Sequence, residues 1–340
     1  MIQVWQSDTL VNELMGITIT EESFDWLTSF WKDHGHELRW DNFFVLPPWL
    51  KVWQETFAPE SKPYFLVGRQ AEKVTGIAPL LIKDGTASII GSADVCDYVD
   101  FIVAPGEEGD FFRALLDDLK VRNVNLLDAG ALRPDSVAST LLMDTARKMG
   151  YEVACEEEDI SLERDLPPTW DEYLQLLNSK QRHEVRRKLR RLAEAGNINY
   201  RFVSEVESVP DFMAVFLKMF VESREDKAEF LTEQMEAYFK TMAVAMAEAG
   251  LLRAGILEVD SKSVAAIIAF DYNDIVYLYN SAYDPDYSSL SVGVLSKALY
   301  IKDSIERGKK RFDFLKGTER YKYHLGGTEV HLSRCRIKIG

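Results

Sequence analysis

Cysteine and histidine are scarce in this chain, and their scarcity excludes several kinds of site. The three cysteines, Cys96, Cys155 and Cys335, are odd in number and far apart in the sequence of 340 residues, which contains five histidines. Such spacing argues against a disulfide framework and a cysteine-based zinc site, and it favours a reducing compartment. We therefore expect no metal ion and a cytoplasmic location.

Long apolar runs and an excess of positive charge are also missing. No apolar run approaches the roughly 18 residues that a membrane-spanning helix needs, and Met1–Leu10 lacks the basic and apolar segments of a signal peptide. The 40 Lys and Arg residues face 55 Asp and Glu residues, so the net charge is −15. This balance disfavours general nucleic-acid binding. The length and the hydrophobic fraction of 46% predict a globular protein of about two domains without a membrane span.

The pattern of apolar residues predicts an α/β chain in which one order of elements occurs twice. Each half contains a meander of short strands, then a helix, a further strand and a closing segment. The first half begins with a helical, aromatic-rich part that includes a helix at Pro47–Phe57. In the second half we predict a helix that Thr169 caps and strand-connecting turns at Asp260-Ser261 and Asn273-Asp274. We predict two similar lobes, at 1–165 and 166–340, joined near the acidic stretch 156–159 and residues up to 180. Each is expected to be a mixed, mostly antiparallel, twisted sheet flanked by helices.

Residues 277–325 form the most informative segment. An aromatic strand ends near Pro285, a loop follows at Ser288–Gly293, and a helix-period segment runs to Gly308. Such a strand, loop and helix present backbone N–H groups to a phosphate, and a glycine allows close backbone approach. The alternative is an ordinary helix start that is capped by the Ser291 side chain.

A short strand, Arg311–Leu315, carries one carboxylate between two phenylalanines. Alternation along the strand places Asp313 on the face opposite Phe312 and Phe314. In a cleft, a carboxylate of this kind orients an amine or acts as a general base, because aromatic neighbours raise its pKa. The alternative is a structural carboxylate that pairs with Arg320 or Lys322.

Positive charge is concentrated in one predicted helix. Residues 180–191 contain seven basic side chains and one acidic side chain. Arg182 lies at the edge of the apolar stripe, where it can point into a cleft, and Arg186 lies on the opposite side. We predict that these two guanidinium groups contact an anionic substrate or donor. The alternative for the whole run is a solvated face with salt bridges.

Several local motifs, taken in order, resemble the GNAT superfamily and, more closely, the CelD/BioF-like acetyltransferases, relatives of the tandem FemABX transferases. The similar segments cover roughly 60–335. They are Gly76-Ile77-Ala78-Pro79-Leu80, Asp97-Tyr98-Val99-Asp100, Ser179 with Arg182 and Arg186, Ser288–Gly293, and Phe312–Gly317 with Tyr321-Lys322. Relatives carry Pro-Gly in the loop, whereas this chain has Ser289-Leu290 and keeps Gly293. The resemblance implies two GNAT-like lobes and an acyl-CoA donor such as acetyl-CoA.

The resemblance also implies roles for individual residues. The donor pyrophosphate is expected at Ser289, Leu290, Ser291, Val292 and Gly293, and Lys322 is expected to hold a phosphate or carboxylate. Tyr321 is expected to return a proton to the leaving thiolate. Alternatively, Tyr321 is a core aromatic residue with a solvated hydroxyl. For Asp97, Tyr98 and Asp100 the resemblance implies acceptor recognition, and local turn chemistry is the alternative.

The expected function is acyl transfer from acyl-CoA to an amine of a sugar, an amino acid or a cell-envelope precursor. The sequence contains no G-x-S-x-G nucleophile motif, which fits direct attack by the amine without an acyl-enzyme. Two alternatives stay open. Fem-like aminoacyl transfer from tRNA is favoured by the basic helix and disfavoured by the net charge. A non-catalytic lobe that binds a ligand or partner is the other.

Overall fold

A computed structural model describes residues 16–91, 95–223 and 225–340. The segment Met1–Leu10 lies outside the described residues. The described residues form two compact units. Unit 1 contains those up to Asp159 together with His331–Gly340, and unit 2 is Ile160–Val330. The division of the sequence into lobes at 165 and 166 stays a prediction.

The strands and helices are numbered in chain order over the described residues. The strands are β1 Thr18–Glu22, β2 Pro63–Gln70, β3 Lys73–Lys83, β4 Thr86–Ile89, β5 Ile102–Val103, β6 Leu126–Leu132, β7 Glu152–Asp165, β8 Ile198–Val203, β9 Ala254–Val259, β10 Lys262–Tyr272, β11 Ile275–Tyr283, β12 Arg311–Lys316 and β13 Thr328–Lys338. The helices are α1 Phe24–His34, α2 Pro47–Phe57, α3 Glu108–Val121, α4 Met143–Lys148, α5 Trp170–Leu176, α6 Ser179–Ala193, α7 Val209–Ser223, α8 Glu225–Phe230, α9 Glu233–Glu248, α10 Val292–Glu306 and α11 Arg320–His324.

Unit 1 contains a mixed, mostly antiparallel sheet with helices. Its strands lie in the order β1-β2-β3-β4-β6-β13-β7, and β5 pairs with β3. The pair β4 and β6 is parallel, and α3 lies between these strands in the chain. Helix α3 buries Phe111, Leu115 and Leu119, which recur every four residues and therefore face one side. Glycines at 68 and 76 make room for the Phe111 ring, since an added Cβ would lie 2.6–2.7 Å from it.

Unit 2 repeats the same plan. The end of β7 is followed by β12, β11, β10, β9 and β8, and β11 pairs with β12 in parallel. Helix α10 connects these two strands. Strand β10 is buried over Val264–Phe270, as expected for a central strand covered on both faces. Phe312, Phe314 and Tyr300 belong to the core between the sheet and its helices. The predicted α/β class, with mixed and mostly antiparallel sheets flanked by helices, is confirmed.

Tight turns were readable from the sequence. Asp260-Ser261 and Asn273-Asp274 each connect two antiparallel strands, and all four residues have positive φ, from 47° to 69°. Two-residue hairpin loops need this conformation, which Asn and Asp adopt most readily among the residues with a Cβ. Thr169 caps α5 as predicted, since its side chain accepts a hydrogen bond from the Glu172 N–H.

The cysteine argument was wrong for one pair. Cys155 and Cys335, 180 residues apart in sequence, form a disulfide, and Cys96 is buried and free. Both paired residues belong to unit 1, on the neighbouring strands β7 and β13. Distance along the chain says nothing about proximity once strand pairing brings two segments together. This disulfide removes the observation on which the prediction of a reducing compartment was based.

The acidic stretch 156–159 lies inside strand β7. Its carboxylates face basic side chains of β13: Glu156 pairs with Arg336 at 2.8 Å and Glu158 with Arg334 at 3.3 Å. Opposite charges across neighbouring strands stabilise the pairing. The last strand, β13, has no counterpart in the elements that were predicted from the sequence.

Two features are absent from the described residues. Of the helices in 16–91, 95–223 and 225–340, none combines the length and the apolar character that a membrane span requires. Within the same ranges, no group of three or more His, Cys, Asp and Glu residues is placed to hold a metal ion.

Candidate functional site

The start of helix α10 in unit 2 is open. A 3-10 turn, Pro285–Leu290, leads into it, and Ser291 occupies the position before the first helical residue with φ 59° and ψ 34°. No side chain among the described residues caps this helix. The first N–H groups of a helix have no partner within it, and the helix dipole adds roughly half a positive charge there. The capped-helix alternative therefore lacks its capping bond, and the helix start is suited to an anion.

This helix start faces a cavity of about 410 Å³ within unit 2. Ser291, Val292, Gly293 and Val294 contribute the helix side of its wall. The other residues that line it come from β11, the 3-10 turn, α8, α10 and the segment around α11; they are Leu278, Asn280, Ser281, Tyr283, Ser288, Lys227, Lys297, Glu319 and Tyr321. The cavity therefore brings the first turn of α10 together with two lysines, a glutamate and two tyrosines.

Gly293 packs directly against an aromatic ring. An added Cβ would lie 3.0 Å from Cδ1 of Tyr283, closer than carbon atoms normally approach. The glycine therefore lets the first turn of α10 come close to β11, and it keeps the backbone at the cavity surface.

Lys297 is a buried lysine that the sequence did not point to. Its side chain is 4% exposed and lines the cavity, and its Nζ donates a hydrogen bond to the Gly293 carbonyl at 2.7 Å. Nζ also lies 4.5 Å from the centre of the Tyr321 ring. Burial, followed by the charge of Lys227, lowers the pKa of Lys297 to about 7. The sequence did contain a pattern that indicates this burial: Lys297 precedes the buried Ile301 by four residues, which places both on the inner face of α10.

Tyr321 lines the same cavity from helix α11. Burial, and then the Glu319 carboxylate, raise the pKa of its hydroxyl well above the ordinary value. The hydroxyl therefore stays protonated at neutral pH and can donate a hydrogen bond. The Lys297 ammonium lies over its ring, so these two side chains share one wall of the cavity.

Lys322 and Asp313 lie behind this wall. Lys322 is 2% exposed, and its Nζ donates to the carbonyls of Leu315 (3.0 Å) and Lys316 and pairs with Glu319 at 3.0 Å. Asp313 is 1% exposed, and its Oδ1 accepts the Leu315 N–H at 2.8 Å. Leu315 has φ 61° at a bulge in β12. Both side chains thus bond to backbone groups at the end of β12; their assignment as catalytic and donor-binding residues stays a prediction.

The other predicted donor residues divide by position. Ser291, Val292 and Gly293 line the cavity. Ser289 is exposed in the 3-10 turn, and Leu290 packs against the apolar cluster that contains Val292 and Leu295.

A second cavity of about 400 Å³ lies beside the basic helix α6. Lys180 and Lys188 line it together with Arg320 and His324. Burial, followed by the charges of Arg320, Lys188 and Lys180, lowers the pKa of His324. Of the two arginines predicted from this helix, Arg182 donates to the carbonyls of Leu174, Gln175 and Leu177 at the end of α5, at 3.4–3.5 Å, and Arg186 is exposed. Their role in substrate binding stays a prediction.

The residues predicted for acceptor recognition belong to unit 1. Asp100 accepts backbone N–H bonds from Phe101, Val137 and Ala138 at 2.9–3.0 Å. It thereby closes the start of a π-helical turn, Ala138–Leu142, that leads into α4. Burial raises the pKa of Asp100 to about 7, although the three N–H bonds act in the opposite direction. Tyr98 is buried, with its ring edge-on to Phe44 and under Arg133, and Asp97 is half-buried.

The family model of the acetyltransferase (GNAT) domain matches residues 179–323. This span runs from the start of the basic helix α6 to Tyr323 in α11, so it includes every residue that lines the first cavity and most of those that line the second. No curated protein matches the chain in sequence.

Solved structures are similar in fold. FemX is 12% identical with a TM-score of 0.62, over 93% of this chain and 96% of FemX. A conserved protein of unknown function from Bacteroides thetaiotaomicron is 13% identical with a TM-score of 0.58, over 95% and 99% of the two chains. The L-PGS protein of Bacillus licheniformis is 9% identical with a TM-score of 0.51, over 86% and 90%. At these identities the likeness concerns the fold, which is GNAT-like and related to that of FemX. The match to the acetyltransferase (GNAT) model therefore concerns residues 179–323, which are similar to a domain of this kind.

Proposed function

We propose that the chain is an acyltransferase that moves an acyl group from a CoA-type thioester to an amine. One observation carries the proposal: the uncapped start of α10 faces a cavity of about 410 Å³. The N–H groups there are suited to a pyrophosphate, and the helix dipole attracts its negative charge. The family match over residues 179–323 supports a donor of this class.

The reaction needs little covalent chemistry from the protein. The amine nitrogen attacks the thioester carbon, the C–N bond forms and the C–S bond breaks, and one proton passes from nitrogen to sulfur. The cavity holds the thioester in place for this attack, and positioning of that kind lowers the barrier substantially. Tyr321, which is protonated at neutral pH, donates a hydrogen bond to the departing sulfur. The acceptor is an amine of a sugar, an amino acid or a cell-envelope precursor.

Two measurements on the full chain test the proposal. Equilibrium binding of acetyl-CoA and of longer acyl-CoAs should show one site per chain. Release of free CoA thiol should then be followed with amine acceptors from the three classes. If acyl-CoA binds but no acceptor causes release of free CoA thiol, the result would favour a ligand-binding protein without acyltransferase activity. A folded chain that binds no thioester would remove the CoA donor.

Aminoacyl transfer from tRNA is a second candidate, and the basic cavity at Lys180, Lys188 and Arg320 favours it. FemX is similar in fold, but the net charge of −15 opposes binding of a polyanion. RNA binding that weakens steeply as salt is raised, and that blocks acyl-CoA binding, would support this candidate. Binding of acyl-CoA that RNA leaves unchanged would count against it.

A further inference from the structure

Lys297 combines burial with access to the donor cavity. Its side chain leaves the second turn of α10, is 4% exposed, and reaches the cavity wall, where Nζ bonds to the Gly293 carbonyl at 2.7 Å. Gly293 belongs to the open first turn of the same helix. The Lys297 amine therefore lies beside the first turn of α10, where the proposed function places the pyrophosphate of the acyl donor.

No carboxylate in the part of the chain that the structure describes forms an ion pair with Lys297. Glu319 lines the cavity, but its Oε2 is bonded to Lys322 at 3.0 Å. The charged and titratable groups that surround Lys297 are Lys227 of α8, Glu319 before α11, Tyr321 and Lys322 of α11, and Tyr283 of β11. The N-terminal end of the α10 dipole adds to the positive charge of Lys227 and Lys322. A buried ammonium among cations, without its own counter-ion, releases its proton more easily than an exposed lysine does.

Lys297 differs in this respect from the residue that the sequence suggested as the base. Asp313 does not line the cavity of about 410 Å³, and its Oδ1 is bonded to the Leu315 N–H. Tyr321 lines the cavity, but its raised pKa makes its hydroxyl a poor base. Burial lowers the pKa of Lys297 to about 7, so its protonation state changes near neutral pH.

We propose that Lys297 is the proton-exchanging residue of this cavity: its neutral amine takes a proton from the attacking amine nitrogen and returns it to the departing thiolate. This inference rests on the proposed acyl transfer. The balance is complete, because one proton leaves nitrogen, one arrives on sulfur, and Lys297 ends as it began. No oxidant, reductant or further reactant is needed.

The first test measures the protonation of Lys297 without any substrate. The full chain is labelled with ¹³C at lysine Cε and titrated by NMR, and the Lys297 signal is assigned as the one missing from a Lys297→Arg variant. We expect a midpoint near pH 7, against about 10.4 for an ordinary lysine. Lys227→Met should move the midpoint upward, because it removes a neighbouring cation. A midpoint above about 9 would overturn the proposal.

The second test measures turnover. Lys297→Met should lower kcat/KM by about 100-fold or more, the range of a general acid–base group, and should remove the acidic limb of the pH profile near 7. Lys297→Arg should have a similarly low kcat/KM, because a guanidinium group stays protonated and cannot accept the proton. Lys302→Met on the exposed side of α10, whose side chain is 44% exposed, is the matched control and should leave kcat/KM unchanged.

The outcomes separate the two proposals. Full activity with an unchanged pH profile in Lys297→Met would overturn the role of Lys297 and leave acyl transfer intact. A folded wild-type chain that neither binds nor turns over acyl-CoA would overturn the proposed function, and the catalytic role of Lys297 with it.

Discussion

Each unit contains one helix that connects two parallel neighbouring strands. Helix α3 lies between β4 and β6 in unit 1, and α10 lies between β11 and β12 in unit 2. The first turn of α3 carries Glu108 and Asp110, whereas the first turn of α10 carries no acidic residue. Glu108 accepts the Gly106 N–H at 2.9 Å, so its carboxylate already lies at the helix start.

The two helices also differ in where they place a cation. In α3, Arg113 is 59% exposed and pairs with Asp110 at 2.6 Å. In α10, Lys297 is buried beside the cavity and bonds to a backbone carbonyl. A helix start with its own carboxylates repels an anionic ligand, and one without them attracts it. The same topology therefore gives one closed helix start and one that can bind a phosphate.

The first comparison concerns the Asp100 carboxylate of unit 1, which accepts three backbone N–H bonds. Asp100→Ala removes the acceptor of three N–H groups, and we expect the free energy of unfolding to fall by about 3 kcal/mol because the buried donors lose their partner. Urea unfolding measures this loss. Asp144→Ala, at a carboxylate 53% exposed, should change stability by less than about 0.5 kcal/mol. Unchanged stability of Asp100→Ala with a raised KM for the acceptor would instead support the role expected from sequence.

Burial of Lys297 in α10 should make the free energy of unfolding depend on pH. The pKa of Lys297 falls from 10.5 to about 7 on folding. Between these values the unfolded chain binds the extra proton, so stability rises with pH by about 1.4 kcal/mol per unit. The stability of Lys297→Met should not rise in this way. The variant should be more stable than the wild type, and the difference should be largest at pH 7 and below. Parallel curves for the two proteins between pH 7 and 9, from chemical denaturation, would contradict the depressed pKa.

Charge at the open helix start should decide donor binding. Ser291→Asp gives α10 a carboxylate like that of α3, and we expect acyl-CoA to bind about tenfold more weakly because the two negative charges repel each other. Equilibrium dialysis measures the ratio. Ser291→Asn is the neutral control of the same shape and should bind acyl-CoA more tightly than the aspartate variant. Equal affinity in both variants would place the phosphate elsewhere.

The smallest effect compares two glycines at the second position of their helices. A Cβ at Gly293 would lie 3.0 Å from the Tyr283 ring, whereas one at Gly109 in α3 meets nothing within 4 Å. Gly293→Ala should weaken acyl-CoA binding by less than about fivefold, since the first turn must move by a few tenths of an ångström, which costs less than about 1 kcal/mol. Gly109→Ala should leave binding unchanged and slightly raise stability. Tighter binding by Gly293→Ala would contradict the close approach of backbone to ligand.

Local patterns in the sequence predicted much of the fold. The hairpin turns at 260–261 and 273–274, the Thr169 cap and the helix at Pro47–Phe57 follow from nearby residue types, and the structure confirms each of them. The loop before α10 was also identified, because glycine and serine between a strand and a helix are a local signal. What was missed depends on residues far apart in sequence. Strand β13 and the Cys155–Cys335 pair both arise from tertiary contacts.

The candidate site shows the same limit. Ser291, Val292 and Gly293 were found because they share one loop, and they line the cavity. Lys297 was missed because a lysine on an otherwise apolar helix face is usually taken to reach solvent. Its burial follows from packing against Tyr321, which is 24 residues away in sequence.

The central claim is that the open start of α10 holds the phosphate-bearing part of an acyl donor. Calorimetric titration of the full chain with acetyl-CoA at pH 7, in the wild type and in Ser291→Asp, tests it most directly. We predict one site per wild-type chain and clearly weaker binding in the variant. Absence of binding by the folded wild type, for acetyl-CoA and for longer acyl-CoAs alike, would contradict the account.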